Sequence, residues 1–345
     1  MKKKKLMISL LAIACLAISA FALSSCESEK GEQGIQGEAG KSAYQIWLDN
    51  GHSGTETDFL EWLKEGNGEN EGTSGLHYQR IAGKDEYRVI GLGIAAETDI
   101  VIPAKYNGLP VTSIGVEAFE NCDGLTSVVI GDSVTTIGSF AFANCSSLTS
   151  ITIPDSVTLI GERVFSRCRG LSIYYVGNIA TWCNILFHGP FADLTTSEEG
   201  SYNLYINNRL VTDFKFIVNF QLPNNLTEIK SYAFFKFRSL TSVEIPDGVT
   251  TIGDSAFAYC NGLRSIIIPD SVTSIGEEAF YFCHGLSVYY KGTARDWENI
   301  SIDSYSKSYL INATRYYYIE NEADVPTDGG NYWHYNENGE IEVWA

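Results

Sequence analysis

An isoleucine-glycine pair opens a unit at Ile114, Ile137 and Ile160, 23 residues apart each time, and the spacing returns at Ile252 and Ile275. A sixth unit begins at Ile229, with Lys230 in the glycine's place. Five residues after each isoleucine stands a phenylalanine: Phe119, Phe142, Phe165, Phe234, Phe257 and Phe280. Eleven residues after it stands a leucine: Leu125, Leu148, Leu171, Leu240, Leu263 and Leu286. A short fixed period of this kind is the mark of a stacked repeat architecture. One unit cannot stand alone. It offers about six apolar side chains worth roughly 1.5–3 kcal/mol each when buried, against an ordering cost of about 1.5 kcal/mol per residue. Neighbours must therefore cover its flanks, and the two ends need caps.

Within the unit, Leu148-Thr149-Ser150-Ile151-Thr152-Ile153 alternates, with Ile151 and Ile153 on one side and Ser150 and Thr152 on the other, as a half-buried strand does. Pro154 cannot donate to a ladder and Asp155 favours a turn, so the strand ends there. The AFxxC half is too short for a full helix and reads as one helical turn. The shared unit, roughly IGxxAFxxCxxLTSIxIPDSVTS, resembles the 23-residue leucine-rich repeat of the BspA-like, Treponema-type bacterial surface proteins, directly over about residues 100–176 and 223–291. The resemblance implies a β-rich repeat solenoid with a parallel sheet on its concave face and short turns or helical turns on its convex face.

A longer period overlies the short one. Trp182 in GNIATWCNI and Trp297 in GTARDWENI lie 115 residues apart, as do Ile114 and Ile229, which is five times 23. The array thus reads as two copies of one block: three repeats, an aromatic strand (LSIYYVG, LSVYYKG) and a Trp-Asn-Ile spacer. YNLYINN and RYYYIEN are aromatic strands at related places after the two spacers.

The cysteines follow the same period. Cys122, Cys145, Cys168, Cys260 and Cys283 share one slot, and Phe237 fills it in the sixth unit. A slot that takes cysteine or phenylalanine asks for apolar volume, and a buried free cysteine behaves as a small hydrophobe. His284 beside Cys283 sits in a column otherwise holding Asp123, Ser146, Arg169, Arg238 and Asn261, a solvent-facing mixture. The pair is expected to be a brick of the stack, with mostly free thiols, since side chains running parallel on adjacent rungs have poor bridging geometry.

The ends give the expected setting. Residues 1–25 have a lysine-rich start and an apolar run of signal-peptide length. Leu23-Ser24-Ser25-Cys26 resembles a bacterial lipobox, which implies lipid attachment at Cys26. Residues 26–40 form a Gly-rich, collagen-like spacer and 41–66 a small N-terminal helical hairpin that resembles a module found after such triplets. A linker (67–77) and an N-terminal cap repeat (78–113) lead into repeat block 1 (114–176). Then come the first Trp-Asn-Ile spacer (177–222), block 2 (223–291), and the second spacer with a C-terminal β cap (292–345). In the cap, Asn338-Gly339 between alternating residues marks a hairpin that should close the last rung.

Of 345 residues, 24 are basic and 42 acidic, a balance of −18. Losing Lys2 to Lys5 with the leader leaves 20 against 42, or −22. So acidic a chain, with no basic stripe, does not fit a nucleic acid. No nucleophile elbow, zinc-protease motif, phosphate-cradling loop or C-x-x-C pair is present, so neither an enzyme nor a cofactor is expected. The family resemblance implies adhesion through the concave face to a protein or glycan, with the membrane reached only through the lipid anchor. The strand positions facing out would be Ser127, Val129, Ser150, Thr152 and Tyr174 in the first block, and Ser242, Glu244, Ser265, Ile267 and Tyr289 in the second. The competing reading is a structural scaffold of the cell envelope or periplasm with no external ligand.

Overall fold

The computed structural model describes residues 53, 72–190, 202–206, 209–210, 222–238 and 240–344. Cys26, the collagen-like spacer and, apart from Ser53, the expected helical hairpin lie outside the described residues. Each repeat lays down a short strand, a turn, a two-residue strand and a further chain of turns. Around the first block one sheet holds β1 (Asp99–Ile102), β2 (Ser127–Ile130), β3 (Ser150–Ile153), β4 (Ser172–Tyr175) and β5 (Asn203–Ile206). They pair in that order, all parallel. The second block repeats the pattern with β6 (Ser242–Glu244), β7 (Ser265–Ile268), β8 (Ser287–Tyr290) and β9 (Thr314–Tyr318). Strand β10 (Tyr332–Tyr335) then adds parallel to β9, and β11 (Ile341–Val343) turns back antiparallel. The two-residue strands, such as Thr136–Ile137 and Thr251–Ile252, stack into a second parallel ladder in each block.

The core lies between the ladders. Ile151, Ile153, Ile173 and Tyr175 face it, as the alternation requires. The phenylalanine column forms two stacks, Phe119–Phe142–Phe165 and Phe234–Phe257–Phe280, with ring centroids 5.1–5.9 Å apart. Each of the rings is buried. The Ile-Gly glycine is dictated by the rung before it. A Cβ on Gly138 would lie 2.6 Å from the Val116 nitrogen, and one on Gly253 2.5 Å from that of Ser231. Lys230 breaks the pattern in the unit that starts the second block.

The AFxxC half corrects the expectation of a helical turn. Two non-glycine residues per repeat adopt left-handed backbone, at Glu117 and Asn121, Phe140 and Asn144, Arg163 and Arg167, then Tyr232 and Lys236, Ser255 and Tyr259, Glu278 and Phe282. Along this wall the N–H groups alternate. Those of Glu117, Phe119 and Asn121 donate to the carbonyls of Ser139, Ala141 and Ala143 on the next rung, while those of Ala118, Glu120 and Cys122 close four-residue turns. A helix would spend every N–H within itself; here every second one joins adjacent rungs.

The spacers hold short helices, α1 (Ile179–Cys183) and α2 (Ala294–Glu298), started by capping boxes at Asn178 and Thr293. Their tryptophans play matching parts: Trp182 meets Tyr175 edge-on at 5.2 Å, and Trp297 meets Tyr290 at 5.2 Å. Helix α3 (Ser304–Ile311) follows α2. Trp182 also joins the blocks, its Nε1 donating to the Ala233 carbonyl at 2.9 Å, and Tyr202 adds a bond from its hydroxyl to the Phe235 carbonyl at 2.9 Å. The C-terminal hairpin forms as the Asn-Gly signal indicates, with Gly339 at φ +75° and the Asn336 side chain accepting from the N–H groups of Asn338 and Glu340.

Candidate functional site

The register of the concave sheet brings the sequence-singled positions into two files per block. Ser127 pairs with Ser150, and Val129 with Thr152, which in turn pairs with Tyr174 and then Tyr205 of β5. In the second block Ser242 pairs with Ser265, and Glu244 with Ile267, Tyr289 and Tyr316 of β9 in succession. These side chains all stand on the face opposite the hydrophobic core. The two sets of five residues belong to different blocks and do not form one continuous ladder.

Exposure along these files corrects the expectation of an open serine and threonine floor. Ser127, Val129, Ser150 and Thr152 are all buried, and so is Ile267. Ser127 donates its hydroxyl to Asp99 at 2.7 Å, so it is spent on the ladder itself. The Thr152 hydroxyl, placed between Val129 and Tyr174, has no hydrogen-bond partner among the described residues. Tyr174, Ser265 and Tyr289 are half-buried, and Ser242 and Glu244 are exposed. Accessible surface therefore collects at the tyrosines and at the start of the second block.

The tyrosines are paired. Tyr174 stacks on Tyr205 with centroids 4.6 Å apart and planes within 14°, and Tyr289 stacks on Tyr316 at 4.9 Å and 9°. Two files separated by one internal duplication thus end in the same structure, a half-exposed ring pair. Tyr205 and Tyr316 were absent from the sequence-derived set. Their signal was the alternation within YNLYINN and RYYYIEN, which puts every second tyrosine on the outward face.

Beside the second pair lies a charged cluster. Lys291 follows β8, and its Nζ lies 2.9 Å from both Glu244 Oε1 and Asp247 Oδ1. Burial works against the ammonium, yet the hydrogen bonds to Glu244 and Asp247 outweigh it and hold its pKa above the usual lysine range. The Tyr335 hydroxyl donates to Glu244 Oε1 at 2.9 Å, and burial together with that carboxylate pushes the phenol up to about 12. Tyr335 sits on β10 and Glu244 on β6, with β7, β8 and β9 between them in the sheet. A bond across so many strands requires a tightly curled face. Trp333 reaches back over the same face, its Nε1 donating to the Tyr290 carbonyl at 3.1 Å. Glu244, Asp247 and Lys291 also line a groove of about 400 Å³, with Leu222, Asn224 and Pro246.

The cysteine column resolves differently. Cys145, Cys168, Cys260 and Cys283 each donate Sγ–H to the carbonyl of the phenylalanine one rung back (Phe119, Phe142, Phe234 and Phe257), at 3.0–3.1 Å. Burial pushes the Cys283 thiol up to about 12, and His284 beside it is exposed. Such a thiol is not poised as a nucleophile. All six described cysteines are free. Phe237, in the first rung of the second block, packs instead on Phe234 and Trp182.

Set against known proteins, the chain matches the family model described as BspA type leucine rich repeat region, in six copies, over residues 98–198 and 201–314. Among solved structures it is similar to a leucine-rich repeat protein of T. pallidum, at 23% identity over 62% of this chain and 78% of that one, with a TM-score of 0.35. It is also similar to a leucine-rich repeat protein from Bacteroides ovatus (23% identity, 75% and 74% covered, TM-score 0.35). A third, from Eubacterium ventriosum, is 18% identical with 69% and 74% covered and a TM-score of 0.33. No curated protein matches.

Proposed function

The chain belongs to the BspA-type leucine-rich repeat family, and from that premise we propose that it is an exported, lipid-anchored binding protein without catalytic activity. Its concave sheet meets a protein or glycan at the cell surface, in adhesion to a host or to another cell. The observation that carries the reading is the pair of stacked tyrosines repeated in both blocks, Tyr174 with Tyr205 and Tyr289 with Tyr316, half-exposed on the face away from the core. Tyrosine gives large, rigid contact area at low entropic cost with a polar tip, which suits recognition of either partner class. The anchor is read from Cys26 and the apolar run before it. More than one acyl chain holds a protein stably, at about 0.8 kcal/mol per buried CH₂.

The burial of Ser127, Val129, Ser150 and Thr152 narrows the surface. Contact falls on the tyrosines and on the exposed Ser242 and Glu244. Two experiments test this. Protease or antibody access to the repeats on intact cells should be full; access only after the envelope is broken would sink adhesion and leave the envelope scaffold. Once a screen of matrix proteins and glycans yields a ligand, replacing Tyr289 and Tyr316 together by serine should weaken binding by about tenfold or more, as loss of central aromatic anchors does. An unchanged affinity would exclude the second-block face.

A further inference from the structure

The two blocks share their inner architecture but differ on the convex wall. At the left-handed positions and their neighbours, the second block carries Tyr232, Tyr259, Tyr281 and Phe282, and α3 adds Tyr309. All five are half-buried. From Tyr259 onward the rings touch in sequence: Tyr259 stacks on Phe282 at 5.1 Å, meets Tyr281 at 5.4 Å, and Tyr281 meets Tyr309 at 5.3 Å. Exposed His284 packs edge-on against Phe282 at the end of the strip, where it borders a groove of about 360 Å³. The first block has Glu117, Asn121, Phe140, Asn144, Arg163 and Arg167 at its left-handed positions. No demand of the stack accounts for the difference, since the first block folds the same wall without these rings.

Carboxylates line the same region. Burial holds up the phenols of Tyr232, Tyr259 and Tyr309, and Glu278 adds to each, after Asp254 at Tyr232 and after Tyr281 at the other two. Its own carboxyl is held up by burial and then by the like charges of Glu277 and Asp303. Asp254 accepts from the Glu277 N–H at 2.8 Å. Among the described residues, none of these four carboxylates has a cationic partner. Elsewhere on the wall the protein supplies such a cation itself: the Arg163 guanidinium lies 6.0 Å over the Phe140 ring in the first block, and Lys236 lies 5.8 Å from the Phe235 ring where the second begins.

We infer that the convex wall of the second block docks a cationic segment of a partner protein, with arginine or lysine heads on Glu277 and Glu278 and their stems along the tyrosines. Aliphatic stems on rings with charged heads on carboxylates are what such side chains seek. A sugar polymer fits less well, because Tyr259 and Phe282 spend a face of each ring on each other rather than offering a flat platform.

The test uses the full chain in mild detergent, a fluorescent hexa-arginine peptide as probe, and chitohexaose as the neutral competitor. Glu277→Gln with Glu278→Gln should weaken peptide binding about tenfold, and Tyr281→Ser with Tyr309→Ser about fivefold, with the affinity falling as salt rises. Glu117→Gln with Glu120→Gln, on the first block's wall, should leave it within about twofold. Equal losses for the two acidic pairs would mean attraction to bulk negative charge and would overturn the proposal. So would a tyrosine pair that folds yet binds normally, or displacement of the peptide by chitohexaose. Should the tyrosine pair fail to fold, the comparison of the two glutamate pairs decides. Sedimentation of the wild type tests the remaining occupant: self-association abolished by Glu277→Gln with Glu278→Gln would assign the wall to a second copy instead.

Discussion

The cysteines show how a residue column can be read correctly in kind and still conceal its chemistry. That Cys145, Cys168, Cys260 and Cys283 are buried follows from the exchange with Phe237, and burial is what the structure has. The hydrogen bond each makes to a phenylalanine carbonyl one rung back could not be read, because its acceptor is backbone and leaves no side-chain trace. Cys122, in the first of the six repeats, has only a long 3.9 Å contact to Glu120 O and is half-buried, with its thiol pushed up to about 11 by burial and then Cys145. Among the six described cysteines, iodoacetamide at pH 8 should therefore label Cys122 first in the native protein, and the buried column only as the chain unfolds; mass spectrometry of timed samples checks the order. Glu278 gives a pH test. Its carboxyl holds a proton more tightly when folded, so its favourable contribution is complete below the ordinary value of 4.5 and is lost as pH rises through its higher folded value. Glu278→Gln should thus be more stable than the parent in denaturant at pH 7, with the two curves meeting below about pH 4.5.

For single elements, the strands were legible and the convex turns were not. Period-two alternation and Pro154 set both the facing and the end of β3, because a strand's side chains must take opposite sides and proline cannot extend a ladder. The AFxxC wall misled because turns with left-handed residues usually announce themselves by glycine or asparagine. Here Arg163, Tyr259 and Phe282 accept that backbone, and the N–H groups of Arg163 and Tyr259 are held by carbonyls of the next rung, which a single unit cannot display. The exposure of Ser127 and Thr152 was misjudged for a related reason: alternation tells which face a side chain takes, and not what lies over that face. The phenylalanine column is the strongest test of the phase. Phe257, fully buried between Phe234 and Phe280, should cost roughly 3–5 kcal/mol on replacement by alanine. A loss below about 1 kcal/mol in urea unfolding would contradict a ring so enclosed.

Across the whole molecule, the 115-residue recurrence of tryptophan announces a duplication, and Trp182 and Trp297 meet Tyr175 and Tyr290 in the same edge-on way. How the copies join is not announced. Trp182 and Tyr202 bond to the backbone of Ala233 and Phe235, and nothing in those residue types reports it. The C-terminal hairpin closes the ladder at β9, so its removal should expose a tyrosine-rich strand edge. A chain ending at Ile319 is expected to self-associate in light scattering at concentrations where the intact chain stays monomeric. The bond from Tyr335 to Glu244 carries the matter further. A stack of rungs ordinarily peels like a zip, losing one tooth at a time from its free end. With Tyr335 of the last parallel strand bonded to Glu244 on the first strand of the block, peeling from the tail must break that clasp as well as the outermost tooth. In the role proposed above, in which the molecule grips a partner while held to a cell, such a clasp would raise the force at which fraying begins.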